Sequence, residues 1–74
     1  MTVNVELFGQ LCFELEKNQE LDLDRTFTVK EVASLIGLSS EQIGMAVIDG
    51  MQVPLDTVVP VSCKLSLFPP MTGG

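Results

Sequence analysis

The sequence has 74 residues, enough for one small domain and no more. Apolar residues make up 46% of it and the mean hydropathy is +0.38, values that exclude a disordered chain. A net charge of −6 argues against nucleic acid and against membrane surfaces as partners, and the absence of histidine excludes catalytic triads and histidine zinc sites.

Two alternating segments open the chain. Residues 3–8 alternate apolar and polar side chains and stop at Gly9, which predicts a half-buried strand. Residues 10–19 are compatible with either a helical turn or a loop. Residues 20–24 alternate again, with leucines on one face and acids on the other, which predicts a second strand. Because outward charge discourages pairing with other chains, we expect this strand at a sheet edge.

The strongest local pattern predicts a helix over residues 28–37. Thr28 and Glu31 have the spacing of a capping box, in which the hydroxyl and the carboxylate each pair with a free backbone N–H. Apolar side chains then recur at i, i+3, i+4 and i+7, so that they share one face of the helix. Gly37 stands where a residue of left-handed conformation ends a helix.

The second half of the chain predicts three strands. Residues 45–48 are an apolar run, and the following Asp49-Gly50 pair is typical of a two-residue hairpin turn. Pro54 cannot donate to a ladder, so the return strand is expected to be short or at an edge. Residues 63–68 alternate until two prolines end the pattern.

This order of elements favours an α+β fold of the β-grasp, or ubiquitin-like, arrangement. One helix across one face of a mixed sheet of four to five strands buries the apolar stripes economically. In that arrangement the first and last strands run parallel in the middle of the sheet. We therefore expect a β-grasp domain over residues 1–68 and a flexible C-terminal Gly-Gly tail over residues 69–74.

The tail suggests a definite chemistry. Two glycines without side chains pass easily through a narrow site, and the carbonyl of Gly74 is open to attack. A carboxylate is a poor electrophile, so a separate ATP-using enzyme must first convert Gly74 into an acyl adenylate. The activated carbonyl can then accept sulfur or an amine.

Residues 67–74, Leu-Phe-Pro-Pro-Met-Thr-Gly-Gly, resemble the C-terminus of the MoaD family of sulfur carriers and, more loosely, that of the related ThiS proteins. The segments at 7–9, 28–31 and 49–50 are similar to the same family, although only the FPPxTGG-type tail is specific to it. Residues 59–64 depart from MoaD because they lack its acidic Gly-Asp-Glu-type turn, and Pro54 lies in a segment nearer to ThiS. These departures leave the chemistry intact and the pathway open.

The resemblance implies a non-catalytic sulfur-carrying subunit of molybdopterin synthase, which serves molybdenum or tungsten cofactor synthesis. A MoeB/ThiF-like enzyme would adenylate Gly74, using ATP, and the glycyl carboxylate would become a thiocarboxylate. A MoaE-like large subunit would then receive the tail, with Gly73 in its tunnel and Met71 and Thr72 against its walls. The resemblance implies no cofactor or metal bound to the carrier itself.

Two phenylalanines predict a surface for such partners. Phe8 and Phe68 are expected at the ends of adjacent central strands, on the face away from the helix, where they form an exposed aromatic patch typical of an interface. A register slip would instead bury one or both in the core. The two prolines favour an extended tail, which lowers the entropy lost on threading. The predicted partner-binding residues are Phe8, Phe68, Pro69, Pro70, Met71, Thr72 and Gly73.

The first residues carry no basic region followed by an apolar one, so we expect no signal peptide and a cytoplasmic protein. Cys12 and Cys63 are then expected to be buried thiols rather than a disulfide or nucleophiles. Three alternatives stay open. They are a ThiS-type carrier for thiamine thiazole synthesis, a ubiquitin-like modifier joined to lysines through Gly74, and an interaction domain whose terminus has no role.

Overall fold

Five strands form one mixed sheet in the computed structural model, which describes residues 2–70. The order across the sheet is β2-β1-β5-β3-β4. β1 and β5 pair in parallel at the centre, and the other three pairings are antiparallel. The strands are β1 (Thr2–Leu7), β2 (Asn18–Asp22), β3 (Met45–Ile48), β4 (Met51–Val53) and β5 (Lys64–Phe68).

This topology confirms the predicted β-grasp fold. The acidic strand β2 and the short strand β4 lie at the two sheet edges, as their sequences indicate. β2 begins at Asn18 rather than at residue 20, because Asn18 and Gln19 already pair with β1. The undecided segment after β1 contains a 3₁₀ helix, Gly9–Cys12, and the serine-rich segment after the α-helix contains a second one, Ser40–Gln42.

The α-helix, α1 (Val29–Leu35), has the predicted capping residues at both of its ends. The Thr28 N–H donates to Glu31 Oε1 at 2.9 Å, and the Glu31 N–H donates to Thr28 Oγ1 at 3.2 Å. At the other end Gly37 has a φ of +97°, and the Leu38 N–H donates back to the Ala33 carbonyl at 2.9 Å. No helix within residues 2–70 is long and apolar enough to cross a membrane.

The core lies between α1 and one face of the sheet. The parallel register sets Val5 beside Leu65 and Leu7 beside Leu67, and all four side chains are buried. α1 covers them with three further buried side chains, those of Val29, Val32 and Ala33.

The two cysteines are free thiols that differ in burial. Cys63 is buried in the core, and this burial raises the pKa of its thiol. Cys12 is only half-buried, contrary to expectation, because it ends the 3₁₀ helix at the margin of the core, where its thiol donates to the Gly9 carbonyl.

The β3–β4 hairpin is tied to the first residue of β5. Asp49 and Gly50 form the predicted two-residue turn, with φ values of +49° and +89°. The Asp49 N–H donates to the Lys64 carbonyl at 3.1 Å, and the Lys64 N–H donates to Asp49 Oδ1 at 3.0 Å. The turn therefore fixes where β5 enters the sheet.

The capping box can be tested by Thr28→Ala. Loss of the hydroxyl leaves the Glu31 N–H without its partner, and we expect the free energy of unfolding to fall by about 1 kcal/mol in urea titrations. Thr26→Ala is the control, since Thr26 is an exposed threonine outside the helix, and its effect should stay within about 0.5 kcal/mol. Equal losses for the two variants would contradict a capping role.

Candidate functional site

β5 delivers the C-terminal residues from the centre of the sheet. Its last two carbonyls are held from opposite sides: the Phe8 N–H donates to the Leu67 oxygen at 3.1 Å, and the Gly44 N–H donates to the Phe68 oxygen at 2.8 Å. Two prolines follow, and since proline has no N–H the ladder stops there. The chain therefore leaves the sheet between the end of β1 and the start of β3.

Phe8 and Phe68 stack on each other where the chain leaves the sheet. Their ring centroids are 4.4 Å apart and their planes differ by 9°. Both rings are half-buried, and the buried core is formed without them because Leu7 and Leu67 take the core-facing positions. The register is therefore not slipped, and this aromatic pair lies on the sheet face opposite α1. Its role in partner binding stays a prediction.

Lys17 lies over the Phe8 ring of the aromatic pair. Its ammonium nitrogen lies 4.2 Å from the Phe8 ring centroid, a cation–π distance, and 3.5 Å from the Leu7 carbonyl oxygen. The Leu7 N–H donates to the Lys17 backbone carbonyl at 2.7 Å, which fixes the residue beside β1. Lys17 therefore helps to hold the Phe8 ring in its stacked position.

Glu6 forms ion pairs with two lysines, Lys64 and Lys17, next to the aromatic pair. Its carboxylate lies 2.8 Å from Lys64 Nζ and 3.7 Å from Lys17 Nζ. The hydrogen bond from Lys64 is the main reason that the pKa of Glu6 lies below its ordinary value of 4.5. Two of the four basic residues of an acidic chain thus meet here, so this part of the surface is less negative than the rest.

Glu6, Lys17 and Lys64 were not predicted as part of the site. Glu6 and Phe8 are two positions apart, as are residues 64, 66 and 68, so alternation alone indicates that Glu6 and Lys64 share a face with the phenylalanines. Lys17 gave no such signal because it lies in an irregular bend between β1 and β2.

An open apolar groove of about 640 Å³ continues the surface past Phe68. Both prolines of the predicted tail lie in its wall and are half-buried, so the first two tail residues pack against the domain. The groove is lined by Gly44, Met45, Gln52, Phe68, Pro69 and Pro70. The predicted site residues Met71, Thr72, Gly73 and Gly74 lie outside the described residues.

The metal-ligating and thiol side chains of the described residues limit what the arrangement can do chemically. Among residues 2–70, no three side chains of the metal-ligating types come together. Burial, reinforced by the Asp49 charge, raises the pKa of the Cys63 thiol and keeps it protonated, which makes it a poor nucleophile. What the arrangement can do is present an aromatic pair, a groove and an emerging tail to another protein.

Residues 5–74 match the ThiS family. The chain belongs to the ThiS family. The match includes both phenylalanines of the aromatic pair and extends to Gly74. Members of this ThiS/MoaD-like group are small sulfur carrier proteins of ubiquitin fold that are generally not catalytic. No curated protein sequence matches this ThiS-family chain at a significant level.

Solved structures share the fold of this ThiS-family chain. SAMP1 from Haloferax volcanii is 22% identical with a TM-score of 0.74, and each chain is covered completely. A Pyrococcus furiosus chain named for molybdopterin converting factor, subunit 1, is 16% identical with a TM-score of 0.74, covering 96% of this chain and 99% of its own. A chain from the complex of subunits 1 and 2 of the molybdopterin-converting factor of Helicobacter pylori 26695 is 21% identical over both full lengths, with a TM-score of 0.63. At these identities the similarity establishes the fold alone.

The pairing of Glu6 with Lys64 predicts a pH dependence. Because the folded-state pKa of Glu6 is lower than its ordinary value of 4.5, ionised Glu6 stabilises the fold above that pH, and the contribution is lost as the pH falls through the folded pKa. An NMR titration of the Glu6 carboxyl carbon should give a midpoint below 4.5. Lys64→Met keeps the stem but removes the charge, and should move the midpoint upward. An unchanged midpoint in that variant would show that Lys64 is not the cause.

Proposed function

We propose that this chain is a sulfur carrier for molybdopterin synthesis and acts as the small subunit of molybdopterin synthase. The observation that carries the proposal is the position of β5, which leads the Pro-Pro-Met-Thr-Gly-Gly segment out of the sheet centre beside the aromatic pair. The family match supports it, because it extends to Gly74. Residues 1–68 serve as the docking domain, and residues 69–74 as the reactive tail.

The chemistry takes place at the carboxylate of Gly74. An adenylating enzyme of the MoeB/ThiF type joins this carboxylate to AMP and releases pyrophosphate from ATP. A sulfur source then displaces AMP, and the glycyl group is left as a thiocarboxylate. In this proposal the carrier supplies no catalytic side chain and binds no cofactor of its own. The activating step needs ATP, which fits a cytoplasmic location.

The aromatic pair and the adjoining groove form the docking surface for a MoaE-like large subunit. Stacked, half-buried phenylalanines at the point where the tail leaves give a partner a rigid apolar anchor next to the segment that it must thread. Pro69 and Pro70 favour an extended tail. Gly73 then enters the tunnel of the large subunit, and Met71 and Thr72 contact its walls. The Helicobacter neighbour, a complex of subunits 1 and 2, supports a two-subunit arrangement.

A carrier of the same chemistry for thiamine thiazole is the second candidate. It is favoured by the description of the matching family, ThiS, and by the segment around Pro54, which is nearer to that type. Molybdopterin synthesis is preferred because the tail is closer to MoaD and two structural neighbours are named for the molybdopterin converting factor. The two functions share Gly74 and differ in the acceptor.

The intact mass of the protein tests the shared chemistry. After incubation with ATP, a cognate adenylating enzyme and a sulfur source, the mass should rise by the difference between sulfur and oxygen. The variant that lacks Gly74 should show no shift under the same conditions. If the mass of the full-length chain also stays unchanged, the carrier proposal fails. Conjugates in which Gly74 is joined to lysines of other proteins would instead identify a modifier.

The acceptor separates the two pathways. Thiocarboxylated protein incubated with a MoaE-like subunit and the pterin precursor should lose its sulfur and yield the dithiolene product. Transfer to a thiazole synthase but not to the pterin would support the ThiS-type function and overturn the preferred one.

The docking surface is tested by Phe8→Ala. We expect the affinity for the large subunit, measured by calorimetry, to fall about thirtyfold, which corresponds to about 2 kcal/mol for an aromatic anchor. Phe13→Ala is the matched control, because that ring is 82% exposed and lies outside the aromatic pair. Thermal melts establish that both variants are folded. Similar losses of affinity in the two variants would argue against the aromatic pair as the anchor.

A further inference from the structure

Gly44 lies directly against the backbone of the emerging tail. A Cβ placed on Gly44 would stand 2.4 Å from the Pro70 Cα, 2.7 Å from the Pro69 oxygen and 2.8 Å from the Pro70 nitrogen. Real Cβ contacts do not fall below 3.0 Å, so any larger residue here must displace the tail. At the same time the Gly44 N–H holds the Phe68 carbonyl at 2.8 Å.

Gly9 contacts the same segment from the β1 side. A Cβ on Gly9 would stand 2.9 Å from Cγ and 3.3 Å from Cδ of Pro69. Phe8, its neighbour, donates to the Leu67 carbonyl. Pro69 therefore lies between two glycines. The N–H of Gly44, and the N–H of Phe8 beside Gly9, donate to the last two carbonyls of β5 and fix its end.

The sequence near Gly44 gives no other reason for a glycine. Its φ lies outside the left-handed region, unlike the φ of +60° at Gly9, so its local backbone accepts alanine without strain. The tail backbone is what excludes a side chain at residue 44. Gly44 is thus the more informative of the two positions.

We propose that Gly9 and Gly44 are positioning residues, which set the direction in which the C-terminal tail leaves the sheet and so deliver Gly74 to the enzyme that activates it. This inference rests on the proposed function. The prolines transmit the direction, because their rings restrict rotation just after the two glycines. Gly44 and Gly9 lie against Pro69 and Pro70, so they act through the first residues of the tail.

The test is Gly44→Ala in steady-state adenylation, with the carrier as varied substrate, a cognate MoeB/ThiF-like enzyme and ATP–pyrophosphate exchange as the readout. The adenylating enzyme is a different partner from the large subunit assigned to the groove that Gly44 lines, and both rings of the aromatic pair are unchanged, so KM should stay within about twofold. A misdirected tail should instead lower kcat roughly ten- to a hundredfold. Partial unfolding has the opposite signature. It lowers the concentration of competent carrier, which raises the apparent KM and leaves kcat at saturation unchanged.

Gly50→Ala is the matched control. Gly50 has a φ of +89°, a Cβ placed on it would meet no atom within 4 Å, and it lies at the opposite end of β3 from the tail. Alanine there should lower the Tm through backbone strain while leaving kcat unchanged. Gly44→Ala should therefore lower kcat, whereas Gly50→Ala should lower the Tm and leave kcat unchanged.

A second single variant completes the test. If Gly44→Ala fails to fold, Pro69→Ala removes the ring that touches Gly9 without adding atoms, and should lower kcat severalfold at unchanged Tm. An unchanged kcat in Gly44→Ala, or in Pro69→Ala where that variant is used, overturns the inference.

The failure of the inference differs from the failure of the proposed function. If the chain without any substitution supports no ATP–pyrophosphate exchange, the proposed function fails. The tail direction is then read by NMR alone: Gly44→Ala should shift the Met71 amide resonance, and Gly50→Ala should not. An unshifted Met71 resonance overturns the role of Gly44 in setting that direction.

Discussion

The parallel pairing of β1 with β5 is the contact on which the rest of the structure depends. It joins Val5 to Leu65 and Leu7 to Leu67, and their side chains form the buried middle of the core under α1. Every other strand is joined to this pair, β2 through β1, and β3 with its hairpin partner β4 through β5. Apolar burial at this pair therefore fixes the sheet, and the sheet in turn fixes which backbone groups and side chains surround the end of β5.

The surface proposed for binding is the other face of the same pairing. Because side chains alternate along a strand, the register that buries Leu7 and Leu67 also brings Phe8 and Phe68 into contact on the opposite side. Glu6 and Lys64 share that face for the same reason, and their side chains meet diagonally across the two strands. Core and surface are thus two consequences of one register, and no separate device is needed to assemble the aromatic pair beside the tail.

The sequence predicted those parts of the fold that depend on local chemistry. The capping box at Thr28, the left-handed end at Gly37 and the Asp49-Gly50 turn are each specified by a few neighbouring residues. Lys17 and Gly44 could not be found in that way. Lys17 reaches Phe8 from an irregular bend, and Gly44 has to be a glycine only because a chain segment some twenty-five positions later passes over it. Such requirements arise from distant contacts and leave no periodic signal.

The central pairing also has a kinetic consequence. Val5 and Leu65 are separated by sixty positions, so the middle of the sheet forms only after a loop of nearly the whole chain has closed. Domains dominated by such long-range pairs fold more slowly than those built from local contacts. The β3–β4 hairpin is local and forms early by comparison, but it gains its neighbour only when β5 arrives. β5 is therefore among the last strands to be placed, and in an incompletely folded molecule no paired β5 fixes where the chain leaves the sheet.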